Sequence, residues 1–195
     1  MYSLKLLKII RPLSVVTLAV CAISAALSIV SLTQTPLDST WRALHSSDAF
    51  RSGVFWVLVI PATLLHSSWH HLALNLTLGL LLGHAVERRI GSLWFVGFVL
   101  LCSITSTGLE LWYSGRPQIG ISGVDYAFLG FLLPNPPPIR YGLWLASAFI
   151  LLGWLLAGMI FPISPANPPG NVSHFSGLLF GIAAGLLFQK SKDAT

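Results

Sequence analysis

Gly120-Ile121-Ser122-Gly123-Val124-Asp125-Tyr126-Ala127-Phe128-Leu129-Gly130-Phe131-Leu132-Leu133-Pro134 is the stretch that decides the fold. Its apolar part, Ser122 to Leu133, falls well short of the ~20 residues a helix needs to cross a bilayer. It stops at Pro134-Asn135-Pro136-Pro137-Pro138 and follows a polar loop, Ser114 to Gln118. Irregular backbone at membrane depth is tolerated only where it lines a wet cavity walled by protein. The sequence therefore predicts a short helix beginning in mid-membrane, with Ser122 near its top. Glycines on both sides of the serine let the backbone approach a substrate and leave the Ser122 N–H accessible. Taken alone, a Gly-x-Ser-Gly string in a glycine-rich membrane protein more often means close packing than catalysis.

The flanking sequence is membrane protein throughout. The chain has 195 residues, of which 54% are hydrophobic and only 9% charged, and its mean hydropathy is +0.78. Soluble domains carry about 25% charged residues, so this composition cannot cover a water-facing surface. Six apolar segments are visible: Leu13–Leu32, Trp69–Val86, Leu93–Tyr113, Ser122–Leu133, Tyr141–Phe161 and Ser173–Phe188. All but the fourth approach the length of a span. The expected fold is an all-α membrane protein with six transmembrane helices, the fourth short, in a single domain covering 1–195. There is no internal repeat and no soluble domain.

The net charge of +5 does not indicate nucleic acid, because no basic stripe with interleaved aromatics exists. The basic residues instead set topology. With the N-terminus in the cytoplasm and six crossings, Lys5, Lys8, Arg11, Arg88, Arg89, Arg140, Lys190 and Lys192 lie inside. Arg42, Arg51 and Arg116 lie outside, as the positive-inside rule requires. The long first loop, Thr33 to Ser68, is then external and, with Trp41, Phe50, Phe55 and Trp56, partly interfacial. The Leu13–Leu32 segment is longer than a signal-peptide h-region and is read as a retained helix. Cys21 and Cys102 fall inside apolar runs, so neither a disulfide framework nor a metal site is expected.

Three groups of residues carry chemistry. His66, His70, His71 and Asn75 enter the second segment. His71 and Asn75 are four apart and share a helical face, where both can donate to a developing oxyanion; polar residues in membrane helices also serve as interhelical glue. The second group is Gly120, Ser122 and Gly123, with Tyr126 one turn further on. The third is His174, followed by Gly177, Gly181 and Gly185. Small residues every four positions make a smooth stripe for a neighbouring helix. If that neighbour carries Ser122, His174 arrives beside the serine. An intramembrane histidine is costly to bury and points to function, the structural alternative being a pore-lining or packing role.

Together, and in this order, these motifs resemble the rhomboid intramembrane serine proteases, most closely the six-helix bacterial type, over about 56–188. The resemblance rests on His66, His71 and Asn75, on the Glu87-Arg88-Arg89-Ile90-Gly91-Ser92 turn, on the Gly120-x-Ser122-Gly123-x-x-Tyr126 box, and on the His174-x-x-Gly177-x3-Gly181 helix. It implies that Ser122 is the nucleophile and His174 the general base, with Tyr126 packed on the His174 ring. It assigns His71, Asn75 and the backbone at Gly120 and Ser122 to the oxyanion and substrate site, and a structural role to His66. It further implies hydrolysis of a peptide bond in or beside a substrate's transmembrane segment, with no metal or cofactor. The partners would be membrane-protein substrates and the lipid bilayer, and the location a bacterial inner membrane with both termini cytoplasmic. Oligomeric state is not encoded in any motif. The alternative from another class is a rhomboid-like protein that binds transmembrane clients without cleaving them.

Two features depart from that pattern. The Trp-Arg pair common in the first loop is absent just before His66, leaving Arg51 or Trp41-Arg42 as substitutes. Asp125 stands where an apolar residue is usual. A charged Asp at mid-membrane costs about 2.5–3.5 kcal/mol on insertion scales, so Asp125 must be protonated, paired or wet. It either faces another helix or tunes the serine and histidine. Glu110 is expected to reach the outer interface, and His84 to be a packing residue at the inner end.

Overall fold

A computed structural model describes residues 14–33, 54–114, 119–136, 141–160 and 171–193. Every regular element among them is helical: α1 (Val15–Thr33), α2 (Val54–Leu64), α3 (Trp69–Leu78), a π-helical turn (Gly79–Gly83), α4 (His84–Ile90), α5 (Ser92–Ser114), α6 (Ser122–Leu132), α7 (Tyr141–Ile160) and α8 (Asn171–Asp193). Val15–Thr33, Ser92–Ser114 and Asn171–Gln189 are long and apolar enough to cross a membrane, and Trp144–Ala157 is a shorter apolar stretch. The protein is a multi-pass integral membrane protein. On α5, exposed Trp94 sits at one end and exposed Trp112 and Tyr113 at the other. At 1.5 Å per residue these aromatics are about 27 Å apart, which matches the hydrocarbon thickness that interfacial Trp and Tyr bracket.

The second apolar segment is a helical rod interrupted by the π turn; Gly79 and Gly83 both keep right-handed helical dihedrals. Within the first loop, residues 54–64 form α2, with Pro61 inside the helix. Val59, Ala62 and Thr63 are buried, and the Thr63 and Thr107 hydroxyls meet at 3.2 Å, tying α2 to α5. Trp41, Arg42, Phe50 and Arg51 lie outside the described residues, as do Lys5, Lys8, Arg11, Arg116, Pro137, Pro138 and Arg140.

The short helix α6 is the centre of the bundle. All of Ser122–Leu132 is buried, Asp125 included. Its length is about 16 Å. Its most extensive contact is with α8. Gly177 and Gly181 of α8 lie directly on the backbone of Gly123 and Ala127, so that a Cβ at either would strike a carbonyl oxygen. Gly185 repeats the contact one turn on, where a Cβ would stand 2.6 Å from the Phe131 carbonyl oxygen. Close backbone approach through small residues is how helices gain contact where lipid supplies no hydrophobic drive.

A polar layer pins the far end of α6. The Arg89 guanidinium donates to the carbonyls of Asn135 and Pro136, and the Asn135 amide donates to the Gly185 carbonyl at 2.9 Å. In the same layer the Glu87 carboxylate accepts from Val16 N (3.2 Å), Thr17 N (2.8 Å), Thr17 Oγ1 (2.7 Å) and Ser92 Oγ (2.7 Å). It thereby satisfies amides that the first turn of α1 would otherwise leave unpaired. His84 meets Ser14 at the same helix start.

Candidate active site

Gly120 begins the site. Its φ of 112° is a conformation that residues with a Cβ rarely adopt, and its N–H donates to the Ala62 carbonyl at the end of α2, 3.3 Å away. A side chain here has no room. A Cβ would stand 2.7 Å from His71 Cε1, 2.9 Å from His71 Nε2 and 3.4 Å from Asn75 Nδ2. Gly120, His71 and Asn75 therefore converge on one point at the start of α6.

His71 is placed by the N-terminus of α3. Ser68 is the N-cap, in extended conformation, and its hydroxyl accepts the His71 N–H at 3.2 Å, as a capping serine does. The His71 ring meets Ser67 Oγ at 3.3 Å and stands edge-on to His66, centroids 4.9 Å apart. Asn75, one turn later and buried, has its Nδ2 3.0 Å from His66 Nε2. His66 Nδ1 lies 3.0 Å from Ser28 Oγ, and the Ser28 and Ser24 hydroxyls donate to the Leu64 carbonyl. One directional chain satisfies all these contacts. Ser28 gives its proton to Leu64, His66 gives its Nδ1 proton to Ser28, and Asn75 gives one amide proton to His66 Nε2. The amide keeps a second N–H, on the side where Gly120 and His71 converge.

Ser122 follows as the first residue of α6. Its Oγ lies 2.8 Å from His174 Nε2. Both residues are buried. The ring of Tyr126, one turn along α6, stacks on the His174 ring with centroids 4.5 Å apart and an interplanar angle of 24°. The Tyr126 hydroxyl donates to the Leu151 carbonyl on α7, so the stacking partner is itself fixed. The glycine contacts between α6 and α8 set the distance between the backbones that carry Ser122 and His174. Gly177 lies against Gly123, the residue after the serine. A hydroxyl bonded to an imidazole, with nearby N–H donors gathered at a glycine, can perform acyl transfer through an activated serine.

The Rhomboid domain family matches residues 52–191. The chain belongs to the rhomboid family. It is 30% identical over 133 residues to the protein named rhomboid protease GlpG of Haemophilus influenzae, an alignment covering 67% of this chain and 69% of that protein.

Within this rhomboid, the Asp125 carboxyl makes no hydrogen bond to Ser122 or His174. It is fully buried on the face of α6 that meets the π turn. A Cβ on Gly79 would lie 3.3 Å from its Oδ1 and 3.6 Å from Cys21 Sγ. Neither carboxyl oxygen has a hydrogen-bond partner among the described residues. No group of three or more His, Cys, Asp or Glu side chains able to hold a metal occurs among them. His70 is exposed. Glu110 does not extend to the interface. It is buried, and its Oε2 accepts the Ser173 N–H at 3.0 Å. Sequence reading also missed Ser24, Ser28 and the Ala62 carbonyl. The two serines sit three and seven residues after Cys21 in an apolar run, where they read as small packing residues until α2 supplies the carbonyl they bond.

Proposed function

We propose that this protein is an intramembrane serine endopeptidase that hydrolyses a peptide bond in or next to the transmembrane segment of membrane-protein substrates. The 2.8 Å contact between Ser122 Oγ and His174 Nε2 carries this reading, and family membership supports it. His174 Nε2 takes the Ser122 proton as Oγ attacks the scissile carbonyl. The resulting imidazolium then protonates the leaving amine, and a water repeats the sequence on the acyl-enzyme. Stacking on Tyr126 orients the His174 ring. His71, the second amide proton of Asn75 and the Ser122 N–H stabilise the oxyanion. Gly120 is the residue whose missing side chain leaves room for the substrate carbonyl.

In this reading the chain crosses the membrane six times, with both termini in the cytoplasm of a bacterial inner membrane. Arg88 and Arg89 are then cytoplasmic, and Ser122 opens a half-length helix at mid-membrane. Substrate helices must unwind to present the bond, so segments with helix-weakening residues near the outer face are favoured. A small residue before the cut is expected from the family. No observation favours a non-catalytic client binder, which has no need of a serine bonded to a histidine. The test is cleavage of a panel of fluorogenic transmembrane peptides in proteoliposomes. Cleavage by wild type and none by Ser122→Ala supports the proposal. Equal cleavage by both, or none by folded wild type across the panel, overturns it.

A further inference from the structure

His174 sits in the first turn of α8, and the geometry of that turn decides where its imidazole points. The first four N–H groups of a helix have no partner within the helix, and α8 has no acidic residue of its own in its first turn. The acceptor comes from another helix. Glu110, near the end of α5, is only 4% exposed and accepts the Ser173 N–H, the amide immediately before His174, at 3.0 Å. Three further contacts hold the same junction. Ser114 Oγ donates to the Glu110 carbonyl at 2.8 Å, fixing the last turn of α5. Ser106, one turn before Glu110 on α5, and Ser173 flank Gly123, where a Cβ would lie 2.7 Å and 2.6 Å from their hydroxyl oxygens. The start of the His174 helix is thus clamped between α5 and the residue that follows Ser122.

We propose that Glu110 is a positioning residue for catalysis, acting through the Ser173 amide to hold the start of α8, and so the His174 imidazole, in line with Ser122. This inference rests on the assignment of Ser122 and His174 above. Glu87 performs the same chemistry at the start of α1 in the polar layer at the far end of α6, where no residue of the active site lies. It is the internal control for a cap that only stabilises.

The experiment measures inactivation by a fluorophosphonate probe as a function of probe concentration on purified, folded protein. It separates the maximal rate from the half-saturating concentration. Glu110→Leu removes the acceptor and should slow the maximal rate about tenfold or more, as small misplacements of a catalytic group do, with half-saturation unchanged. Glu110→Gln keeps an oxygen acceptor and should restore the rate to within about threefold of wild type. Glu87→Leu should lower the melting temperature while the folded fraction reacts at the wild-type rate. If Glu110→Leu is not recovered folded, Glu110→Asp carries the test, because its shorter side chain withdraws the acceptor and should slow the maximal rate in the same way. A wild-type rate in Glu110→Leu, or in Glu110→Asp where that stands in, overturns the inference. So does an equal loss in Glu110→Gln and Glu110→Leu. Failure of wild type to react at all, or reaction of Ser122→Ala, would instead overturn the assignment of the serine and histidine.

Discussion

The two sides of α6 are built on opposite principles. The side facing α8 is backbone on backbone: Gly177, Gly181 and Gly185 leave no room for a Cβ, and the Ser122–His174 contact sits at its upper end. The side facing the π turn carries a fully buried carboxyl, Asp125, against Gly79 and Cys21, with both oxygens unpaired among the described residues. On one side, packing fixes the separation between the backbones that carry Ser122 and His174. The other tolerates an unsatisfied polar group, a costly arrangement in any protein interior. Close backbone packing is thus demanded on the face toward α8, where Ser122 meets His174.

The most severe way to break the comparison is on the α8 side. Gly181→Val would drive methyl groups into the Ala127 carbonyl, which neither backbone can yield without separating the helices. We expect destabilisation of more than about 3 kcal/mol, read as a collapse of the thermal melting transition, together with loss of probe labelling. Asn75→Ala comes next. It removes one of the proposed oxyanion donors and should cost about 10²–10³ in kcat with little change in KM, measured on a cleaved transmembrane peptide. On the π-turn side the sign reverses. Asp125→Val exchanges an unsatisfied carboxyl for an apolar group of similar shape and should stabilise the fold by about 1–3 kcal/mol. Its labelling rate should stay near wild type, because Asp125 bonds neither Ser122 nor His174. A large fall in rate would show that Asp125 acts on Ser122 and His174. The smallest effect is expected from Tyr126→Phe, which keeps the ring on His174 and loses only the bond to Leu151. About 1 kcal/mol of stability and a modest fall in rate should result.

The parts of the molecule written in short-range pattern were legible in the sequence. Hydropathy marked α1, α5, α7 and α8 because each is a long apolar run. Pro134 and the polar loop before Gly120 marked α6 as short. The i, i+4 spacing put His71 and Asn75 on one face, and the four-residue period of Gly177, Gly181 and Gly185 announced a close helix contact. What escaped depends on partners distant in the chain. Helix α2 carries Pro61 and is too short to span, so its run does not stand out from a loop. Ser24 and Ser28 acquire meaning only when α2 ends above them and offers the Leu64 carbonyl. Glu110 is 63 residues from the amide it accepts, and a lone carboxyl near a helix end reads more simply as a solvated one. The π turn leaves no mark in the sequence beyond two glycines, which also suit an ordinary helix.

The most direct test of the central claim is fluorophosphonate labelling of the detergent-solubilised protein, comparing wild type with Ser122→Ala and His174→Ala. Labelling of wild type, its absence in Ser122→Ala and its strong reduction in His174→Ala are the predicted result. Undiminished labelling of either variant, or none in folded wild type under conditions where another rhomboid protease labels, would contradict it.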